Sequence, residues 1–298
     1  MSKKQHRVID IREAEWDGIE ENASIAIIGK RRTGKTTWAK FLLQYISTDI
    51  DRFCVMCGNK DNINEWSEVV HPLYLMYKNL NQLQNIIEYQ DARISKYGKE
   101  DIPKKYKLCI VFDDCGCDRK FMHSDVMKDL LSNGRHYGIT VIILCQYLNQ
   151  MHCENRDQLD YVMMLYTSNI KNIKKIHDEY VNICDIRTFK YILNACTLNK
   201  GACWIDNTKN TINVNETVFY KKMTIPINFN CVGSQTFKEY GNLHILNNTD
   251  DIDDNISDND VADILDIASE VMRDNNTTYT DNKGMITIQK QIDKIKRD

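Results

Sequence analysis

The residues best suited to chemistry form a short loop with glycine at its first and sixth positions and with lysine and threonine after the second glycine. The loop and the residue that follows it are Gly29, Lys30, Arg31, Arg32, Thr33, Gly34, Lys35, Thr36 and Thr37. Glycines at this spacing allow backbone N–H groups to surround phosphate oxygens, and a following helix N-terminus favours anionic charge. We expect Lys35 to reach the β- and γ-phosphates of ATP, and the Thr36 hydroxyl to ligate Mg²⁺.

A second set of reactive groups is the carboxylate pair that follows the apolar segment 108–112. Asp113 stands at the end of a predicted strand, which suits the coordination shell of Mg²⁺, and Asp114 is placed to orient or deprotonate an attacking water. The alternative is that the pair only begins a turn, since Gly116 follows. A glycosidase site is disfavoured because neighbouring residues of a strand point to opposite faces.

A polar amide and two arginines complete the candidate catalytic residues. Gln146 ends the apolar segment 142–145, where it can hydrogen-bond a γ-phosphate or the attacking water, unless it only faces solvent. Phosphoryl transfer gains from a cation at the developing charge, and Arg135 and Arg156 are the candidates. Arg156 is predicted on the ligand side of the sheet. Arg135 is predicted on the opposite side of its own subunit, where it would serve a neighbouring subunit or DNA, and a surface ion pair is the alternative for each arginine.

The elements that position these residues are predicted from the alternation of apolar and amphipathic segments between residues 24 and 180. The five predicted strands are Ser24–Ile28, Arg52–Cys57, 107–112, Ile139–Cys145 and 161–166. They alternate too little for half-exposed strands and are typical of a parallel sheet buried on both faces. Helical periods lie between them, at Trp38, Phe41, Leu42, Tyr45 and Ile46 and at Leu80, Leu83, Ile87 and Ile94. The sequence predicts an α/β fold of the P-loop NTPase type (RecA/ASCE-like), with a mostly parallel sheet and helices on both faces.

The pattern changes after residue 200. Short segments there predict antiparallel strands that close one edge of the sheet, at 202–205, 212–214 and 217–220. Residues 250–260 are acidic and rich in Asn, which predicts a flexible linker, and 261–272 carry an amphipathic helical pattern before a basic end. The predicted domains are an N-terminal extension (1–22), a P-loop ATPase domain (23–225) and a C-terminal extension (226–298).

Composition excludes several classes of protein. The chain has 298 residues, with 39 Lys and Arg against 42 Asp and Glu, and its net charge of −3 excludes a wholly basic nucleic-acid coat protein. No apolar run approaches the roughly 18 residues of a membrane span, and no signal-peptide core is visible. The eleven cysteines favour reduced thiols, because their number is odd and several lie in apolar runs. Zinc at Cys54 and Cys57 or at Cys115 and Cys117 is a weaker alternative, because the spacing does not form two knuckles.

Together these residues resemble the FtsK–HerA superfamily of P-loop ATPases. Within it, the chain is most similar to the poxvirus-type genome-packaging ATPases of nucleocytoplasmic large DNA viruses and virophages. The resemblance spans about residues 20 to 222. It rests on the phosphate loop, segments 110–114 and 133–137, the strand ending in Gln146, Arg156 before segment 160–164, and the late strand 202–206.

The resemblance implies a role for each site residue. Lys35 and Thr36 would bind nucleotide and Mg²⁺, and Asp113 would complete the metal shell. Asp114 would activate water, although many members of the superfamily carry Glu at this position. Gln146 would sense the γ-phosphate.

The resemblance also implies an assembly and its partners. Arg156 or Arg135 would act in trans, within a homo-oligomeric ring that is usually a hexamer. Such rings pull double-stranded DNA into a preformed capsid, so a capsid or portal-vertex protein is the expected docking partner. The expected location is the host cytoplasm, at the viral factory, with the virion as a second location.

A motor that holds DNA without reading its sequence must gather Lys and Arg on one surface, because it contacts phosphates. Residues 171–175 are one candidate patch, with a solvated helix face as the favoured alternative. Arg31 and Arg32 are expected to contact phosphates or a partner, and the alternative is that both are only solvated. Two other functions stay open: a P-loop kinase for a nucleoside or nucleotide, for which no Arg-rich lid is visible, and a nucleotide-gated assembly switch.

Overall fold

Strands with continuous apolar sequence form the centre of the protein. The computed structural model describes residues 10–97, 102–223 and 229–247. Its strands are β1 (Ser24–Ile28), β2 (Arg52–Cys57), β3 (Leu75–Tyr77), β4 (Leu108–Asp113), β5 (Ile139–Cys145), β6 (Tyr161–Met164), β7 (Ala202–Asp206) and β8 (Val218–Lys221). Its α-helices are α1 (Lys35–Ile46), α2 (Leu80–Tyr97), α3 (Arg119–Met122), α4 (Asp125–Asn133), α5 (Cys153–Asp157), α6 (Ile170–Tyr180), α7 (Ile186–Cys196), α8 (Val214–Thr217) and α9 (Gln235–Asn247).

The strands form one eight-stranded sheet in the order β3-β2-β4-β5-β1-β6-β7-β8. All pairings from β3 to β6 are parallel, and β7 pairs antiparallel with both β6 and β8. Every residue of β1, β2, β4, β5, β6 and β7 is buried. Because successive side chains point to opposite faces, this burial means that both faces of the sheet are covered. The predicted α/β fold with a mostly parallel sheet and an antiparallel edge is confirmed.

The register brings the carboxyl ends of the central strands together. Ile28 at the end of β1 pairs with Cys145 at the end of β5 and with Met164 at the end of β6. Asp113 at the end of β4 pairs with Leu144 of β5 and with Cys57 of β2. Residues just after β1, β4 and β5 therefore share one edge of the sheet, where open α/β sheets bind ligands.

The predicted strand 212–214 is wrong. Ile212 is 90% exposed, and Asn213 instead caps α8 by accepting a hydrogen bond from the Asn215 N–H. An asparagine in this position favours a helix start, so the connection from β7 to β8 carries a helical turn. The strands predicted at 107–112 and 161–166 are present with shifted bounds, and β3, a three-residue edge strand, was not predicted.

Both predicted extensions contain residues that pack on the domain. Trp16 lies 5.4–6.3 Å, between ring centroids, from the aromatic rings of α1 and of β7. Tyr74 stacks on Phe237 of α9 at 3.7 Å and donates to its carbonyl oxygen at 2.7 Å. The domain boundaries at 22 and 225 stay a prediction. The predicted linker, the predicted helix 261–272 and the basic end lie outside the described residues.

The described residues contain no helix long and apolar enough to span a membrane. All eleven cysteines lie within the described ranges and are free thiols. Burial raises the pKa of the Cys54 and Cys57 thiols to about 12, so these two side chains are neutral core residues of β2.

Candidate nucleotide-binding site

The phosphate loop connects β1 to α1 and depends on its two glycines. The Gly29 N–H donates to the Cys145 carbonyl oxygen at 3.1 Å, so the loop leaves β1 in contact with β5. A Cβ at Gly29 would lie 2.5 Å from the Thr33 hydroxyl oxygen and 3.0 Å from Leu165. Gly34 adopts a left-handed conformation (φ 92°) directly before α1, which glycine tolerates at low cost. The free N–H groups of the first turn of α1 therefore face the loop, as anion binding requires.

The side chains of the loop converge on one carbonyl oxygen. The Thr33 hydroxyl donates to the Lys30 oxygen at 2.8 Å, and the Lys35 ammonium donates to the same atom at 3.2 Å. Burial lowers the pKa of Lys35, while Asp113 and Cys145 oppose that shift. The ammonium is half-buried and has an exchangeable partner, so it can move to a phosphate oxygen without losing a strong ion pair.

Arg31 and Arg32 are exposed on the outside of the loop, and Thr37 is exposed on α1. Lys30 donates to the Ser168 hydroxyl at 3.1 Å, which ties the loop to the segment after β6. Arg32 has a left-handed backbone (φ 64°), so the loop turns sharply there. The contacts of these four residues therefore add no role to the one that the loop pattern predicts.

Asp113 ends β4 with its side chain almost completely buried. Trp66 donates its indole N–H to one Asp113 carboxylate oxygen at 2.9 Å. Burial raises the pKa of Asp113, the Trp66 hydrogen bond lowers it, and neighbouring Asp114 raises it again. The carboxylate is therefore held in one orientation by a neutral donor, which leaves its charge available to a cation.

Trp66 was missed by the sequence analysis. It is fully buried at the end of a 3₁₀ segment, Lys60–Trp66, whose other residues are mostly polar. The available signal was a single large aromatic residue among polar ones, which indicates a buried anchor but gives no partner. Its hydrogen bond to Asp113 joins the connection between β2 and β3 to the end of β4.

Asp114 begins the turn after β4 with a left-handed backbone (φ 55°) and a half-exposed side chain. The turn is supported from the neighbouring strand, because the Gly58 N–H donates to the Asp113 carbonyl oxygen at 2.7 Å. A Cβ at Gly58 would overlap the Asp114 carbonyl oxygen. The two turns therefore pack backbone to backbone, and Gly58 is required for that approach.

Gln146 follows β5, which lies between the phosphate-loop strand and the strand of Asp113. Its backbone N–H donates to the Gln150 side-chain oxygen at 2.6 Å, and its own side chain is half-exposed. The structure therefore brings Lys35, Asp113, Asp114 and Gln146 to one edge of the sheet, at the ends of three adjacent strands.

The two arginines have different surroundings. Arg135 precedes β5 at the amino edge of the sheet, 56% exposed, with its guanidinium 3.5 Å from Asp160. This is the opposite edge from Lys35, as expected for its own subunit. Arg156 on α5 has a side chain only 11% exposed, which donates to the Asn149 oxygen at 3.0 Å and pairs with Glu179 at 3.3 Å. A trans role for either arginine stays a prediction.

The donor set fits Mg²⁺ better than a transition metal. Among the described residues, no three His, Cys, Asp or Glu side chains form a cluster that would hold a metal by itself. Thr36 on the first turn of α1 and Asp113 supply hard oxygen donors, and Mg²⁺ commonly binds through one or two such groups together with phosphate oxygens.

The chain is similar to proteins of several large DNA viruses. The chain is 27% identical to the uncharacterized protein 015R of Frog virus 3 (isolate Goorha) over 198 residues, and it covers 61% of that protein's length. It is 27% identical to the uncharacterized protein 075L of Invertebrate iridescent virus 6, and this match covers 62% of the chain and 71% of the relative.

Among solved structures, the genome packaging NTPase B204 of Sulfolobus turreted icosahedral virus 2, in complex with ATP-gammaS, has a similar fold. The TM-score is 0.50 with 15% sequence identity, and the match covers 68% of this chain and 98% of that one. A family model described as "Poxvirus A32 protein" matches residues 17–259, which include the whole candidate site. The chain therefore belongs to the poxvirus A32 protein family.

Proposed function

We propose that this chain is an ATP hydrolase that translocates double-stranded DNA during viral genome packaging. The observation that carries the proposal is the convergence of Lys35, Asp113, Asp114 and Gln146 at the ends of β1, β4 and β5. Membership of the poxvirus A32 protein family and the viral origin of the relatives support it. The solved relative by fold is itself described as a genome packaging NTPase.

The residues divide the work of hydrolysis. The first turn of α1 and the Lys35 ammonium bind the phosphates, with Lys35 leaving the Lys30 oxygen to do so. Thr36 and Asp113 would hold Mg²⁺, which would supply charge neutralisation at the phosphate oxygens. Asp114 accepts a proton from the attacking water, and the Gln146 carboxamide orients that water or hydrogen-bonds the γ-phosphate.

DNA translocation requires several copies of the chain and a basic surface. We propose a homo-oligomeric ring, a hexamer, in which Arg156 or Arg135 acts on a neighbouring site. Lys171 and Lys174 are exposed on α6, whereas Lys175 pairs with Glu179 at 2.6 Å. These two exposed ammonium groups support contacts with DNA phosphates that do not depend on base sequence.

The partners and location follow from packaging. A capsid or portal-vertex protein would dock the ring, and the site of action would be the host cytoplasm, at the viral factory, with the virion as a second location.

The test is steady-state ATP hydrolysis with and without long double-stranded DNA. Lys35→Ala is the blank, and Lys96→Ala, at an exposed position on α2, is the matched control. We expect DNA of any sequence to stimulate the wild type and the control, and the blank to stay inactive. Hydrolysis that ignores DNA but rises with a nucleoside acceptor would replace this proposal with a kinase. Tight ATP binding without turnover, with or without DNA, would favour an assembly switch.

A further inference from the structure

The side chain of Gln150 links the two turns that carry Gln146 and Asp114. It lies at the end of the 3₁₀ turn Leu148–Gln150, which follows β5. Its Oε1 accepts a hydrogen bond from the Gln146 N–H at 2.6 Å and a second from the Tyr147 N–H at 3.2 Å. Both donors are backbone groups, so the oxygen of the carboxamide must be the atom that faces them.

The same carboxamide rests on the turn after Asp114. A Cβ at Gly116 would lie 2.7 Å from the Gln150 Cδ and 2.8–2.9 Å from its two terminal atoms. The carboxamide therefore packs flat on the Gly116 Cα, and no larger residue fits there without displacing it. Gly116 is two residues beyond Asp114, so one side chain contacts both the turn after β4 and the turn after β5.

We propose that Gln150 is a positioning residue that holds Gln146 in register with Asp113 and Asp114. The inference rests on the proposed function, since it concerns the geometry of ATP hydrolysis. The backbone of Gln146 has left the sheet and has no strand partner to locate it. The two hydrogen bonds to the Gln150 Oε1 take the place of strand pairing for the Gln146 backbone. The contact of the same carboxamide with Gly116 couples the position of Gln146 to that of the turn that carries Asp114. Small displacements there have large kinetic effects, because catalysis depends on orientation.

The kinetic test uses two substitutions that keep the length of the side chain, one without and one with an oxygen acceptor. Gln150→Met keeps the length of the side chain and removes the oxygen, whereas Gln150→Glu keeps an oxygen acceptor. We expect Gln150→Met to lower kcat by about tenfold while the KM for ATP stays within about twofold, and Gln150→Glu to restore most of kcat. Gly116→Ala should lower kcat in the same way, because its methyl group displaces the carboxamide.

The matched control is Gln44→Met. Gln44 also clamps a backbone segment, accepting from the Asn230 N–H at 3.0 Å and donating to the Asn230 oxygen at 2.7 Å, but it lies near the end of α1 opposite to Lys35. Its substitution should leave kcat unchanged. The double variant of Gln150→Met with Gln146→Ala should be no slower than Gln146→Ala alone. Additive losses, or a loss of kcat that follows the fall in Tm across all variants, would overturn the positioning role.

A second measurement separates this inference from the proposed function. Amide hydrogen exchange at Gln146 and Tyr147 needs no turnover, and it should accelerate in Gln150→Met but not in Gln150→Glu. Unchanged exchange in Gln150→Met would overturn the inference even if the protein is an active ATPase. Accelerated exchange in Gln150→Met, in a protein that hydrolyses no ATP, would overturn the proposed function. It would show that Gln150 holds the backbone of Gln146 and Tyr147, and it would overturn a role in catalysis.

Discussion

Substitution of Trp66 by phenylalanine tests whether the charge of Asp113 is used in the reaction. The substitution keeps an aromatic ring in a fully buried position but removes the N–H that donates to Asp113 at 2.9 Å. Burial raises the pKa of Asp113, and the Trp66 bond is the largest influence that opposes it. Without this bond the pKa of Asp113 rises further, so the carboxylate takes up a proton at a higher pH.

The expected magnitude follows from the kind of bond that is lost. A hydrogen bond to a charged group contributes about 1.5–3 kcal/mol. If this loss falls on the ionised form of Asp113, kcat/KM falls roughly 10- to 100-fold at pH values below the acidic limb, since about 1.4 kcal/mol corresponds to tenfold. Activity that needs ionised Asp113 is lost as pH falls through its pKa, so the acidic limb of the pH–rate profile should move to higher pH. The assay is kcat/KM for ATP from about pH 5 to pH 9, at saturating Mg²⁺.

Trp16→Phe is the matched control for this experiment. Trp16 is also buried, and among the described residues its indole nitrogen has no hydrogen-bond partner. The control therefore removes the same atoms and the same packing without removing a bond to a carboxylate. We expect it to lower Tm slightly and to leave the pH profile in place. If Trp66→Phe shifts neither the acidic limb nor kcat/KM relative to Trp16→Phe, the role assigned to Asp113 is wrong.

Three further substitutions have definite expected outcomes. Asp113→Asn should abolish hydrolysis yet raise Tm at pH 7, because a carboxyl group with a raised pKa costs stability when it is ionised. The gain in Tm should shrink as pH falls and the wild-type carboxyl group becomes protonated. Equal differences in Tm at every pH would contradict this. Gly58→Ala should cost about 1–3 kcal/mol in urea unfolding because its methyl group overlaps the Asp114 carbonyl, and wild-type stability would disprove the close packing. Glu179→Ala should cost about 3 kcal/mol by leaving Arg156 buried with only an amide partner, whereas a change below about 0.5 kcal/mol would show that the pair is solvated.

The parts of the fold that depend on local sequence were predictable. Mostly apolar runs identified β1, β2 and β5 to the residue, because a strand buried on both faces is built mainly from apolar side chains, here with Ser24, Arg52 and Thr140 as the polar residues. The edge strand β3 was not predicted although it lies in the apolar run 73–77, because that run is divided between the 3₁₀ turn Pro72–Tyr74 and a three-residue strand whose side chains are not fully buried. The strand predicted at 212–214 is absent, because the apolar residues of this segment form no sheet pairing and a local asparagine cap decides its conformation.

The candidate site divides along the same line. The phosphate loop and Asp113 are visible because their residue types and spacing are required by phosphate and metal chemistry. Trp66 and Gln150 are not visible, because their effect depends on tertiary contacts with a carboxylate 47 residues away and with a glycine in the neighbouring turn. A single sequence does not show which distant residues come into contact. These contacts arise only when the strands take their order in the sheet.

The position of β1 between β5 and β6 also has a consequence for synthesis on the ribosome. β2 and β4 can pair soon after Asp113 has emerged, but both neighbours of the phosphate-loop strand are made much later, up to Met164. Pairing across so long a stretch of sequence gives β1 a high contact order, and non-local strand pairing of this kind is slow. A nascent chain shorter than this holds an unformed phosphate loop, so under the proposed function ATP would stabilise only chains that have grown beyond Met164. Nucleotide binding would then be a late step of maturation, from which truncated translation products gain no protection.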